Sequence, residues 1–98
     1  MKLGYFANQN NLGLKKPFHQ VVQETREIAM VCDNAGWDSI WFTEHHFGFE
    51  GYEVCPNPVL MCADIAAHTK HIRVGQAANI VTFWHPLRLA GISRCSTT

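Results

Sequence analysis

Ser39-Ile40-Trp41-Phe42-Thr43-Glu44-His45-His46-Phe47 is the stretch on which the reading of the fold turns. Within its first five residues the apolar run Ile40-Trp41-Phe42 is continuous and does not alternate, the pattern of a parallel strand covered on both faces rather than of a strand with one wet side. The three residues that follow bring a carboxylate and two imidazoles to the point where the strand ends. In any parallel α/β fold that point is the carboxyl edge of the sheet, where ligands bind. A glutamate and two histidines there offer an anion, a proton carrier active near neutral pH and several hydrogen-bonding groups. The same residues also suit a structural cluster, with Glu44 salt-bridged and the histidines packed beside Trp41 and Phe47.

Working outward, the elements alternate. Residues 2–6 read as a short strand, followed by a polar, Gly-containing loop. From Phe18 the apolar positions Phe18, Val21, Val22, Ile28, Ala29, Cys32 and Ala35 recur at steps of three and four, with Thr25 on the same face. That spacing predicts an amphipathic helix of about five turns at 3.6 residues each. Gly36 stands where a left-handed C-terminal cap is wanted. After the strand at 39–43, a polar-aromatic loop occupies residues 44–57. Asn57-Pro58 then reads as an N-cap with proline in the first turn. The helix runs to about His68, with Val59, Cys62, Ala63 and Ala66 on one side. Residues 72–78 read as a third strand, and His85-Pro86 as the start of a third helix. Strand, helix, strand, helix, strand, helix start implies right-handed parallel crossover units. Periodicity alone leaves an open doubly wound sheet and a (β/α) barrel both standing, and argues against a sandwich or a helical bundle.

Composition narrows the function classes. The chain has 98 residues, 47% of them hydrophobic, with eight basic and eight acidic side chains and a formal net charge of +0. No basic stripe suggests nucleic acid or an anionic membrane. The opening residues turn polar at Asn8, too soon for a signal-peptide apolar region. The longest uncharged apolar stretch, at 74–84, is short of the roughly 20 residues of a membrane helix. Cys32, Cys55, Cys62 and Cys95 form no C-x-x-C pair, so they read as free thiols, with Cys32 and Cys62 on apparent helix faces. The expectation is a cytoplasmic protein that binds neither nucleic acid nor membrane.

Two further features invite a site. Gly75-Gln76-Ala77-Ala78 places small residues at a strand end, which allows a flat ring to approach the backbone and equally suits tight barrel packing. Six histidines and four cysteines invite a metal, yet adjacent His45 and His46 point apart if strand geometry continues. The H-E-x-x-H spacing is also absent. No G-x-G-x-x-G or P-loop motif occurs. Trp37, Trp41, Trp84 and the six phenylalanines read as core.

Taken in order, these segments resemble the luciferase-like, flavin-dependent monooxygenase family. The resemblance rests on Met1-Lys2-Leu3-Gly4-Tyr5-Phe6, the long first helix and Gly36-Trp37-Asp38 running into the stretch quoted above. It continues through Asn57-Pro58, Val74-Gly75-Gln76-Ala77-Ala78 and His85-Pro86-Leu87-Arg88, so that residues 1–90 correspond to the N-terminal part of the family's barrel. It implies about three β/α units of a (β/α)8 TIM barrel, a fold that needs about 250 residues when whole. Reduced FMN, or a deazaflavin in some branches, is implied at the carboxyl face, with molecular oxygen used on a small organic substrate. His45 matches the family's catalytic histidine, an acid/base or hydrogen-bond partner. Glu44 matches the carboxylate near the flavin. Ala77 and Ala78 match a small-residue step beneath the flavin ring, often a non-prolyl cis peptide, and Phe6 matches a position facing the pocket. An NAD(P)H-dependent flavin reductase and a homo- or hetero-oligomer are implied as partners. The family's FMN-phosphate contacts come from later strands, and residues 91–98 depart from the family's acidic helix like a divergent or truncated tail. Two other readings remain beside the monooxygenase: a non-catalytic barrel fragment that associates with other chains, and a metal-dependent hydrolase on a similar barrel.

Overall fold

The computed structural model describes residues 1–47, 50, 51 and 53–96, without the side chains of Cys95 and Ser96. Residues 48, 49 and 52 of the expected 44–57 loop, and Thr97 and Thr98 of the 91–98 segment, lie outside the described residues. Three strands, β1 (Gly4–Ala7), β2 (Ser39–Phe42) and β3 (Arg73–Gln76), alternate with three helices, α1 (Phe18–Asn34), α2 (Pro58–His68) and α3 (Pro86–Ser96). The strands form one parallel sheet in the order β1-β2-β3. All three strands are shorter than or offset from their expected spans, because pairing rather than apolar content sets where a strand begins and ends. Helix α3 takes in Gly91 and the residues after it up to Ser96.

The register explains the core. Tyr5, Ile40 and Val74 stand in one row across the sheet, and Phe6, Trp41 and Gly75 in the next. Successive strand residues face opposite sides. Ile40 and Phe42 pack with Ala29 and Cys32 of α1 and with Met61, Cys62 and Ile65 of α2, so both helices cover the same face of the sheet. The other face carries Phe6, 50% exposed, and Trp41, 42% exposed. The expectation that β2 is covered on both faces therefore meets only one covering layer among the described residues. Sequential strand order with helices on one side is the geometry of consecutive barrel staves. An open doubly wound sheet would place helices on both faces and reverse its strand order.

The helices differ from expectation in which residues they bury. In α1 the buried positions are Val21, Thr25, Ala29, Cys32 and Asp33, while Phe18 and Ile28 are exposed. In α2 they are Pro58, Val59, Met61, Cys62 and Ile65. Ala63 and Ala66, expected on the inner side, face out. Burying Met61 and Ile65 removes far more apolar area from water than burying two methyl groups. The caps are as the sequence suggests. Asn57 Oδ1 accepts the Leu60 N–H at 3.0 Å, and Gly36 adopts φ +80° just past α1.

One buried polar residue ties the amino end of the sheet together. Asp33, in the last turn of α1, accepts three backbone N–H groups at 2.8 Å, from Lys70, His71 and Ile72. These lie in the turn between α2 and β3, which has no regular partner for them. The Lys70 N–H does most to hold the Asp33 pKa below the usual aspartate value. His71 and Ile72 add to it against the opposing effect of burial. Between the helices, Arg26 grips Asp64 through Nε at 2.8 Å and Nη2 at 2.7 Å. Hydrogen bonding from Arg26 is likewise the main cause that lowers the Asp64 pKa.

Both carboxylates give the same sign of pH dependence. A folded-state pKa below the unfolded value of about 3.9 contributes stability that is full above pH ~4 and is lost as pH falls through the folded pKa. Urea unfolding of the chain should therefore show stability dropping on acidification below about pH 4. Asp33→Asn should lower stability at neutral pH and flatten that acid limb. An unchanged acid limb in the variant would remove Asp33 from this role.

Candidate functional site

At the carboxyl edge of the sheet, Glu44 is the first fixed point. It lies two residues past the end of β2 and is only 3% exposed. A buried carboxylate is costly unless its oxygens are hydrogen-bonded, and Glu44 has three donors. Trp84 Nε1 donates to Oε1 at 2.7 Å, the Ile80 N–H donates to the same oxygen at 3.2 Å, and His46 Nε2 sits 2.8 Å from Oε2. Burial is the largest single influence and acts to raise the Glu44 pKa. The bonds from His46, Trp84 and Ile80 together outweigh it, so the pKa lies below the usual glutamate value. The ionised carboxylate only accepts, which assigns the proton to His46 Nε2. The ring of Phe83 meets His46 edge-on, with centroids 5.0 Å apart.

His45 turns the other way. Its Nε2 lies 2.6 Å from Glu53 Oε2, and its backbone N–H donates to the Cys55 carbonyl at 2.8 Å. The two imidazoles thus have separate carboxylates, although β2 ends at Phe42 and strand geometry does not reach them. Together with Phe47, Val54 and Pro56 they line a cleft of about 350 Å³, in the size range of small-molecule sites. Among the described residues, no group of three or more histidine, cysteine, aspartate or glutamate side chains is arranged to hold a metal ion.

The loop that carries Glu53 is clasped by the loop after β1. Asn11 N–H donates to the Gly51 carbonyl at 2.7 Å, Val54 N–H to the Gln9 carbonyl at 2.7 Å, and Gly13 N–H to the Glu50 carbonyl at 3.0 Å. Glu53 N–H donates to Asn10 Oδ1 at 2.9 Å. Gly51 sits at φ +83°, and a Cβ on it would collide with the Asn11 carbonyl. Both facts demand glycine.

The small-residue stretch divides in two. Gly75 lies under the Trp41 indole: a Cβ there would come within 2.6 Å of Cζ3, so its space is used for packing. Ala77 and Ala78 are exposed, and the peptide bond between them is cis. Beside them, Asn79 Oδ1 is buried with no partner. Phe6 ends up half-exposed on the same uncovered face as Trp41, not beside Glu44 in any direct contact. Exposed small residues, a half-exposed phenylalanine and an unpartnered acceptor fit a planar, mostly apolar group carrying a polar edge.

The aromatic residues are the largest departure from expectation. Phe42 is fully buried and Trp37 packs edge-on against Tyr5, but Phe6, Phe18, Trp41, Phe47 and Phe83 are exposed. Phe49 lies outside the described residues. Sequence reasoning also missed Glu53, Trp84 and the Ile80 amide. The available signal for Trp84 was an indole N–H that needs an acceptor when buried. For Glu53 it was an acidic residue in the loop that begins at His45. The free thiols of Cys32, Cys55 and Cys62 are buried, and burial pushes Cys55 up to about 11. They are inert packing groups here.

Comparison with known proteins bears on the fold and the family. A family model described as luciferase-like monooxygenase matches residues 1–91. The oxygenase component of flavin-dependent trigonelline monooxygenase from Acinetobacter baylyi is 34% identical over 91 residues, covering 93% of this chain and 25% of that protein. Monooxygenase RslO1 from Streptomyces bottropensis superposes with a TM-score of 0.85 at 31% identity, over 98% of this chain and 29% of that one. The oxygenating constituent of 3,6-diketocamphane monooxygenase from Pseudomonas putida, in complex with FMN, gives a TM-score of 0.83 at 27% identity over 94% and 24%. The chain spans about a quarter of the length of such relatives. Its fold is the N-terminal part of their (β/α)8 barrel.

Two substitutions test the site's construction. Trp84→Phe removes one donor from the buried Glu44 carboxylate and should lower the unfolding free energy by about 1.5–3 kcal/mol. Gly51→Ala should disrupt the clasp between the first two loops, seen as faster amide exchange at Asn11 and Val54 while the Ile40 amide keeps its protection.

Proposed function

Since the chain belongs to the luciferase-like monooxygenase family, we propose that it forms the ring-facing, acid/base corner of a flavin-dependent monooxygenase acting on a small organic substrate. The observation that carries this reading is the placement of Glu44, His45 and His46 just past β2 and of exposed Ala77-Ala78 just past β3, at the carboxyl edge of one sheet. Reduced FMN, when bound, supplies the electrons with which oxygen is activated.

The chain's own residues do the rest. Ala77 and Ala78 leave room for the flat ring above the β3 end, and Phe6 offers it an apolar neighbour. Glu44 holds the loop after β3 in place through Ile80 and Trp84, which fixes the height of that floor. His45 stands at the cleft as the proton carrier, able to donate to or accept from a group that gains or loses charge there. Phe47, Val54 and Pro56 line the cleft with apolar surface.

FMN rather than a deazaflavin is supported by the FMN complex of a structural relative. A separate NAD(P)H-dependent reductase is supported by the oxygenase-component relative. The free, buried thiols of Cys32, Cys55 and Cys62 support a reducing, cytoplasmic setting. A second reading, in which the chain does no chemistry alone and associates with copies of itself or other chains, is favoured by the uncovered Phe6 and Trp41 face. Tight binding of reduced FMN by the chain alone, with substrate-dependent oxygen uptake, would exclude it.

In an oxygenase carrying this chain as its first barrel units, His45→Ala should lower substrate-dependent oxygen uptake by roughly 10²-fold or more. Flavin affinity, read by fluorescence quenching, should stay close to wild type. Unchanged uptake would remove His45 from the proposed role.

A further inference from the structure

Resting on the reading of His45 as the proton carrier, we propose that Glu53 is its positioning residue, selecting which ring nitrogen faces the cleft. The 2.6 Å contact between His45 Nε2 and Glu53 Oε2 engages one imidazole nitrogen. A carboxylate accepts only, so the proton on a neutral His45 ring sits on Nε2, and Nδ1 is left as the nitrogen able to take a proton. This is the orienting logic of a catalytic histidine held by a third group.

Glu53 is suited to the task because its own backbone is fixed from outside the loop. Its N–H is held by Asn10 Oδ1, the next N–H by the Gln9 carbonyl, and the carbonyl of Cys55 returns to the His45 N–H. Ring and main chain of His45 are therefore both tied to residues 53–55, and residues 53–55 are tied to the loop after β1. His46 has no share in this, since its Nε2 is engaged by Glu44. The pair is partly exposed, 39% for the His45 side chain and 28% for Glu53, so it contributes little to stability. Its consequence is orientation.

Long-range ¹H–¹⁵N NMR of the histidine rings in the 98-residue chain tests this without flavin or turnover. Wild-type His45 should be predominantly the Nε2–H tautomer when neutral. Glu53→Gln, whose amide can donate as well as accept, should weaken that preference. Glu53→Ala should lose it and give a mixture of tautomers, while His46, bound to Glu44, keeps its own signals. Glu53→Asp, one methylene too short, should behave as Ala does and serves if the Ala variant fails to fold. A wild-type ring protonated on Nδ1, or an Nε2–H preference that survives both Ala and Asp, would overturn the assignment. The reading of His45 itself stands or falls separately, on oxygen uptake.

Discussion

A buried, ionised carboxylate organises the functional end of this chain. Glu44 is almost fully removed from water, and a group in that state must be met by donors or become neutral. The donors come from two different loops: His46 from the loop after β2, and Ile80 with Trp84 from the loop after β3. Satisfying one side chain therefore brings together segments that no regular secondary structure joins. The same bonds set the position of His46, and through the loop after β3 they set that of Ala77 and Ala78. The candidate site follows from the cost of leaving those two oxygens unpaired.

The opposite end of the sheet uses the same chemistry for a different purpose. Asp33 gathers three amides of the α2–β3 turn and locks α1 to the start of β3, far from the cleft. Between these two carboxylates lies a core made by one face of three strands and two helices. The other face, with Phe6 and Trp41, is the side that would look inward in a closed barrel. The chain is thus built like a run of staves, covered outside and bare inside, with a buried, hydrogen-bonded carboxylate at each edge.

Much of this was legible in the sequence. The order of elements, the N-cap at Asn57, the left-handed Gly36 and the placement of Glu44-His45-His46 at a strand end all follow from local rules that need only neighbouring residues. What was not legible depends on contacts across long stretches of chain. Trp84 reaching Glu44 and Asp33 reaching Ile72 join residues more than thirty positions apart. The role of Glu53 depends on a loop whose shape is set by Gln9, Asn10 and Asn11. The aromatic residues were misjudged for a related reason: apolar character says that a ring prefers cover, and not whether this segment supplies it. Gly75 and Ala77 look alike in sequence, but Gly75 has a tryptophan lying on it and Ala77 is exposed.

We propose that the flavin ring lies at the carboxyl edge, over Ala77 and Ala78. Amide chemical-shift mapping of the ¹⁵N-labelled chain with oxidised FMN tests it most directly. The largest shifts are expected at Ala77, Ala78 and Phe6 and at the Trp84 indole N–H, with Lys70, His71 and Arg73 at the amino edge unmoved. Shifts concentrated at the amino edge, or spread evenly over the exposed aromatic residues, would contradict it.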